Sequence, residues 1–150
     1  MRSAAQSAIA SVRDCGAKMG ASAQALRAAL PGVRMDATAR NRTLELCEEL
    51  SAVAAEVASG VAGLDAVSAK SDDEIREVLR TLSTLEAQAM EVLAAFTFLV
   101  DSLEQAAERD EANEPAYALV IDATAGLLNS FEKAKSATET LRAALGVPAQ

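Results

Sequence analysis

Residues 75–106 read IREVLRTLSTLEAQAMEVLAAFTFLVDSLEQA, with apolar side chains at Ile75, Val78, Leu82, Leu85, Ala89, Val92, Phe96, Leu99, Leu103 and Ala106. Alternating steps of three and four keep these positions on one side of an α-helix, where they can face a partner helix. Leu79, Leu93 and Val100 widen the stripe toward a second neighbour. A stripe of that width predicts the centre of a bundle, since a two-stranded seam needs only the a and d positions.

The same spacing recurs on both sides of this segment. Toward the N-terminus, Ala5, Ile9, Val12, Gly16, Met19, Ala23, Leu26 and Leu30 carry it up to Pro31-Gly32, which ends a helix and opens a turn. A second segment starts near Asp36, a helix-capping residue type, and runs through Leu46, Cys47, Leu50, Ala54, Val57, Val61 and Leu64. The fourth follows Asn113-Glu114-Pro115, where Asn can cap and Pro is tolerated in the first turn. Its stripe is Tyr117, Val120, Thr124, Leu127, Phe131, Ala134, Thr138, Leu141 and Leu145, closed by Gly146 and Pro148. The chain is therefore expected to be all-α: one domain over residues 1–150, an antiparallel up-down-up-down four-helix bundle with heptad packing. Its helices are placed at about 3–30, 36–69, 72–111 and 114–145.

The junction between the second and third segments admits two readings. Ser71-Asp72-Asp73-Glu74 is a capping-box sequence with acids at the positive end of the helix dipole. Leu64, Ser68, Ser71 and Ile75 nevertheless keep the heptad phase, so one helix over 36–111 is the competing reading. Such a helix would be on the order of 110 Å long and would need a second chain to cover its stripe. The capping box favours the break.

About half of the 150 residues are apolar, enough for one buried core. Alanine dominates that class, Trp is absent, and Phe96, Phe98, Phe131 and Tyr117 are the only aromatic residues. Small side chains suit closely packed helices better than pleated sheets. The net charge of −8 excludes a general nucleic-acid binder, which needs a basic surface. Its distribution is uneven: up to Thr43, seven Lys/Arg against two Asp give +5, leaving −13 for the remainder. In an up-down-up-down bundle, Arg27, Arg34, Arg40 and Arg42 lie at the same end as Glu104, Glu108, Asp110, Glu111 and Glu114. Ion pairs across that end are expected, so the basic stretch requires no external partner.

Histidine is absent. That removes Ser-His-Asp and Cys-His catalysis, His-ligated haem and the Glu-x-x-His pairs of di-iron bundles. Neither a Walker-type loop nor G-x-G-x-x-G is present. The carboxylates at Glu45, Glu48 and Glu49, Asp72 to Glu74 and Glu108 to Glu114 fall on polar faces or helix ends, so they read as solvated charge rather than as a metal or acid-base site. No catalytic, cofactor-binding or metal-binding residue is expected, and the chain is read as not an enzyme. Cys15 and Cys47 form neither a C-x-x-C nor a disulfide framework, which points to a reducing compartment. Folding the hairpin about Pro31 would bring them to similar heights as a candidate thiol pair, although two buried structural thiols are favoured. Gly16 and Gly20 are read as a site of close helix contact. No stretch reaches 18 consecutive apolar residues and the start lacks an apolar signal core, so a soluble cytoplasmic chain without a membrane span is expected.

Phe98 breaks the pattern most clearly. Phe96 and Leu99 occupy the stripe, so Phe98 must point away from it, and Met90 also falls off the seam. Phe98 and Met90 are the candidate partner-binding residues. The Ala/Ser/Thr-rich helices and scarce aromatics resemble the composition of talin- and vinculin-type rod bundles and of chemoreceptor cytoplasmic helices. That resemblance implies an interaction or scaffold role and assigns no individual residue. The expected function is thus a non-catalytic helical module for a protein partner or for self-association. The alternatives are a surface-active bundle similar in kind to phasins and apolipoproteins, or a small-molecule binder with a pocket lined by Met19, Phe96 and Phe131.

Overall fold

The computed structural model describes residues 2–64 and 70–147. Four helices carry the chain: α1 (Arg2–Ala29), α2 (Ala37–Ala62), α3 (Asp72–Arg109) and α4 (Glu114–Ala144). Their ends follow from local chemistry. Pro31 sits in a 3-10 turn, Leu30–Gly32, that closes α1. Asp36 caps α2 by accepting the Ala39 N–H at 2.8 Å. At α3 both halves of the capping box are made: Ser71 Oγ accepts the Glu74 N–H, and Glu74 Oε1 accepts the Ser71 N–H. Those hydrogen bonds to the ionised form hold the Glu74 carboxyl below its ordinary range. After α4, Gly146 adopts φ +68°, with its N–H on Ala143 O and that of Val147 on Arg142 O, a Schellman stop.

The second helix ends earlier than the 36–69 expected from the sequence. Its last helical residue is Ala62, and Gly63 and Leu64 form a turn in which the Leu64 N–H returns to Val61 O. Gly60 and Gly63 lower helix propensity there by up to about 1 kcal/mol each. The rest of the expected helix, residues 65–69, lies outside the described residues. A single helix over 36–111 is therefore not formed.

The helices surround one core, with α1 beside α2 and α4, and α3 closing the square between α2 and α4. Individual contacts fix the directions. Ser22 near the end of α1 donates to Ala123 O near the start of α4, and Arg142 near the end of α4 donates to Ser83 Oγ in the first half of α3. Cys47 in α2 donates through sulfur to Ala23 O of α1. Successive helices are therefore antiparallel, and the first and third connections share an end.

Asn113 locks that shared end in a role that the sequence reading had not given it. It makes no side-chain cap for α4. Instead the side chain, 1% exposed, accepts the Arg34 N–H at 2.8 Å and donates to Arg34 O and Ala106 O. The expected lattice of ion pairs is reduced to one cross-end pair among the described residues, Arg34 to Asp110 at 3.4 Å. Arg40 donates instead to the carbonyl of Leu30, which also accepts the Val33 N–H of the turn, and to that of Val33, and Arg42 approaches Glu45 on its own helix. The backbone clamp at Asn113 thus outweighs the exposed charges in joining the two hairpins.

Buried positions follow the sequence stripes, except that Leu64, Val100, Tyr117 and Thr124 are only half-buried and the seam of α3 drifts at its end. Ala107 rather than Ala106 is buried at the end of α3. A straight α-helix departs from a strict seven-residue repeat by about 20° per heptad, which is enough over this length to move the seam by a residue. Side-chain size is divided unequally between the diagonal helices. The buried face of α1 includes Ala5, Ala8, Gly16, Ser22 and Ala23, whereas that of α3 is mostly Leu, Val and Phe. Gly16 lies so close to α2 that a Cβ there would stand 2.7 Å from Val57 Cγ1. Helix separation depends on the side chains between the axes, so α1 is drawn in and α3 is held out.

Candidate functional site

The outward set of α3 leaves a groove along its contact with α2. Its first stretch encloses about 590 Å³ between Ala39, Arg42, Thr43 and Leu46 of α2 and Ala94, Ala95, Phe98, Leu99 and Ser102 of α3. The second, of about 440 Å³, lies between Glu49, Ala52, Val53 and Glu56 on one wall and Gln88, Glu91, Val92 and Ala95 on the other. Ala95 lines both, so the two stretches adjoin along the α2–α3 contact and together make a channel interrupted at most at that residue. From Ala39 to Glu56 this channel extends about 25 Å, the length of a helix of some 17 residues.

Local sequence makes the first stretch apolar. Leu46 and Leu99 are buried floor residues, and Ala94 and Ala95 contribute only methyl groups. The hydroxyls nearby are turned back into their own helices: Thr43 donates to Ala39 O at 2.8 Å and Ser102 to Phe98 O at 3.1 Å. A groove whose polar side chains are already satisfied offers methyl and methylene surface. Phe98 stands at its edge, 74% exposed. An aromatic ring left this open is the largest unburied apolar contribution on α3.

Met90 is 50% exposed but lines neither stretch of the groove. Eight residues along a helix turn the side chain by about 80°, which places Phe98 toward α2 and Met90 toward α4. The two sequence candidates therefore share the outer surface of α3 and do not form one site. Sequence reasoning missed Leu44, Leu119, Ile121 and Leu128, which are also exposed. In the doublets Val120-Ile121 and Leu127-Leu128 the signal was that adjacent residues on a helix lie about 100° apart and only the first of each pair follows the stripe, which leaves the second at or beyond its rim.

Cys15 and Cys47 are both buried free thiols. Cys47 packs at the height of Ala23, eight residues beyond Cys15, so the two are offset by about 12 Å along α1. Disulfide geometry requires Cα atoms within about 7 Å, so they are not a thiol pair. The four residues of connection beyond Gly32 displace the fold axis of the hairpin from Pro31 and produce that offset. Burial pushes both thiols above their ordinary pKa. Met19, Phe96 and Phe131 are buried in the core rather than arranged around a ligand space. The cavity beside Phe131 and Cys15 measures about 10 Å³, the size of a single water site. Glu86, half-buried at that cavity, has its carboxyl pushed up by desolvation, with Arg142 opposing. Among the described residues, no three His, Cys, Asp or Glu side chains converge as a metal site.

By length and composition alone, α3 is apolar enough to cross a membrane: an 18-residue window has mean hydropathy 1.2, and 33% of it is buried. Core helices of bundles share this property. The run at 92–100, whose only polar member is Thr97, produces it. Comparison of the chain with protein-family models, with curated proteins and with solved structures gives no match in any of the three.

Proposed function

We propose that this protein is a non-catalytic interaction module whose α2–α3 groove receives an amphipathic helix of a protein partner, with Phe98 as the anchor. The observation that carries this reading is the coincidence of a 74%-exposed Phe98 with a channel about one helix long, apolar in the stretch beside that ring. Helix-in-groove recognition uses such a channel, with apolar residues of the ligand spaced at i, i+3, i+4 and i+7. Covering an open phenylalanine contributes on the order of 1.5–3 kcal/mol, the range of an interface hot spot. The test is site-specific photo-crosslinking in the native cell, with the probe at Ala94 in the groove or at Ala28 on the outer side of α1. A partner captured from Ala94, absent from Ala28 and lost with Phe98→Ala, is the expected result. Equal capture from both positions, or none from Ala94, would refute the reading.

One observation favours a second reading, a bundle that opens onto an apolar surface: most of the apolar window in α3 is unburied. Flotation with lipid vesicles, accompanied by loss of the Asn113 clamp in hydrogen exchange, is its distinguishing signature.

A further inference from the structure

We infer that the helix received by this groove is basic: it carries Lys or Arg on both flanks of its apolar seam. The inference rests on the docking role proposed for the α2–α3 groove and adds the chemistry of its occupant. Glu49 and Glu56 stand on the α2 wall and Glu91 on the α3 wall, all exposed. Arg42, the only cation lining either stretch, lies 3.7 Å from Glu45 of its own helix, so its charge is already partly countered. A helix seated over Val53, Val92 and Ala95 would therefore meet carboxylates along both edges. Unlike charges on both flanks fix its register and speed its encounter, whereas an acidic helix would be repelled from either wall.

A second copy of this chain does not supply such a helix. Its exposed cations on α1 are Arg2, Arg13, Lys18 and Arg27, but the exposed apolar residues of that helix are alanines only. Its exposed Leu119, Ile121 and Leu128 lie on α4, whose exposed charges are Glu114, Asp122, Glu132 and Glu139 against Lys133. The outer face of α3 does combine Met90 and Phe98 with Arg76, Arg80 and Arg109, but Arg76 and Arg80 are paired with Asp73 and Glu77 of their own helix and Glu91, Asp101 and Glu108 lie among them, so it offers no basic flank. The carboxylates also oppose the approach of an anionic membrane. The occupant is accordingly a segment of a different protein.

The experiment uses two synthetic peptides of about 18 residues, matched to the channel length, with the same Leu/Phe seam and flanks of either Lys or Glu. Fluorescence anisotropy follows their binding to the full chain and to two variants. The Lys peptide is expected to bind at least tenfold more tightly than the Glu peptide. The triple change Glu49→Gln, Glu56→Gln and Glu91→Gln should weaken it about tenfold and remove most of its salt dependence, as three screened surface pairs would. Phe98→Ala should weaken both peptides alike. Equal affinity of the two peptides would overturn the basic occupant and leave the groove standing. Binding of neither peptide, or Lys-peptide binding indifferent to Phe98→Ala, would overturn both the occupant and the groove. Partition of the chain onto vesicles of phosphatidylcholine and phosphatidylserine that the triple variant does not enhance would overturn it in favour of a lipid surface.

Discussion

Gly16→Ala should destabilise the bundle although alanine is the better helix former, and its comparison with Gly20→Ala measures how closely α1 lies on α2. Neither glycine is needed for backbone reasons, because the only positive φ among the described residues is at Gly146. In an exposed helix either substitution would stabilise by up to about 1 kcal/mol. At Gly20 that gain should survive: the added Cβ would meet Ala54 Cβ at 3.8 Å, an ordinary contact. At Gly16 it would stand 2.7 Å from Val57 Cγ1 and 3.2 Å from Val57 Cβ. Val57 is 1% exposed and β-branched, so it has few rotamers into which to retreat and only the cavity of about 10 Å³ beside Cys15 to move toward. Overpacking of this kind costs about 1–3 kcal/mol, which leaves Gly16→Ala less stable by up to about 2 kcal/mol after the propensity gain. The two variants should therefore differ by about 1–3 kcal/mol, or roughly 2–12 °C in Tm for a chain of this size. Thermal and urea unfolding followed by far-UV circular dichroism would read this directly. The double variant Gly16→Ala/Val57→Ala should recover part of the loss, with a coupling of about 1 kcal/mol between contacting residues. If Gly16→Ala stabilised as much as Gly20→Ala, or if the double variant were additive, the close approach of α1 to α2 would be refuted.

Asn113→Ala should cost about 2–4 kcal/mol in urea unfolding, since it strips the Arg34 N–H and the Arg34 carbonyl of their buried partner and leaves Ala106 O only the Asp110 N–H; a loss below about 0.5 kcal/mol would refute the clamp. Burial raises the Glu86 carboxyl above its unfolded value, so its contribution favours the fold at low pH and is lost as pH rises through the folded pKa. Glu86→Gln should then stabilise at neutral pH by less than about 1 kcal/mol, given solvent screening of a half-buried group, and have no effect below about pH 4; destabilisation at neutral pH would show that Arg142 outweighs desolvation. Cys15 and Cys47 should alkylate slowly in the native state and rapidly in urea, and mild oxidation should yield no intramolecular bridge by mass spectrometry.

The sequence revealed those features that depend on one helix at a time. The stripe of α3, the Asp36 cap and the Ser71 capping box are local patterns, and the structure contains each of them. Asn113 shows where local reading stops. An Asn before Glu-Pro carries the same signature whether it caps its own helix or clamps a loop 79 residues away. The height of Cys47 relative to Cys15 depended on how much chain the first turn consumes, which Pro31 alone does not specify. Phe98 was visible because it sits two residues from a stripe position, but the groove beside it depends on the distance between two helices. That distance reflects the side chains on every neighbour and has no local signature.

Side-chain size on the two diagonal helices accounts for where the groove opens. Glycine and alanine let α1 settle against α2 and α4, while the leucines and Phe96 of α3 keep that helix farther from the same neighbours. Clefts consequently flank α3 on both sides, and they differ in where their polar groups lie. The cleft that includes Arg142 of α4 has Leu79, Ala87 and Val147 interrupted by Arg80, Ser83, Thr84, Gln88 and Glu91. Such a wall would have to be desolvated by anything that filled it. The α2 side has its hydroxyls folded back and alanines where bulk could have closed the gap. The residues that leave the channel open, Ala94 and Ala95, belong to the apolar run that also carries Phe98. Larger side chains at Ala94 and Ala95 would fill the first stretch of the groove beside Phe98, so the channel depends on their small size.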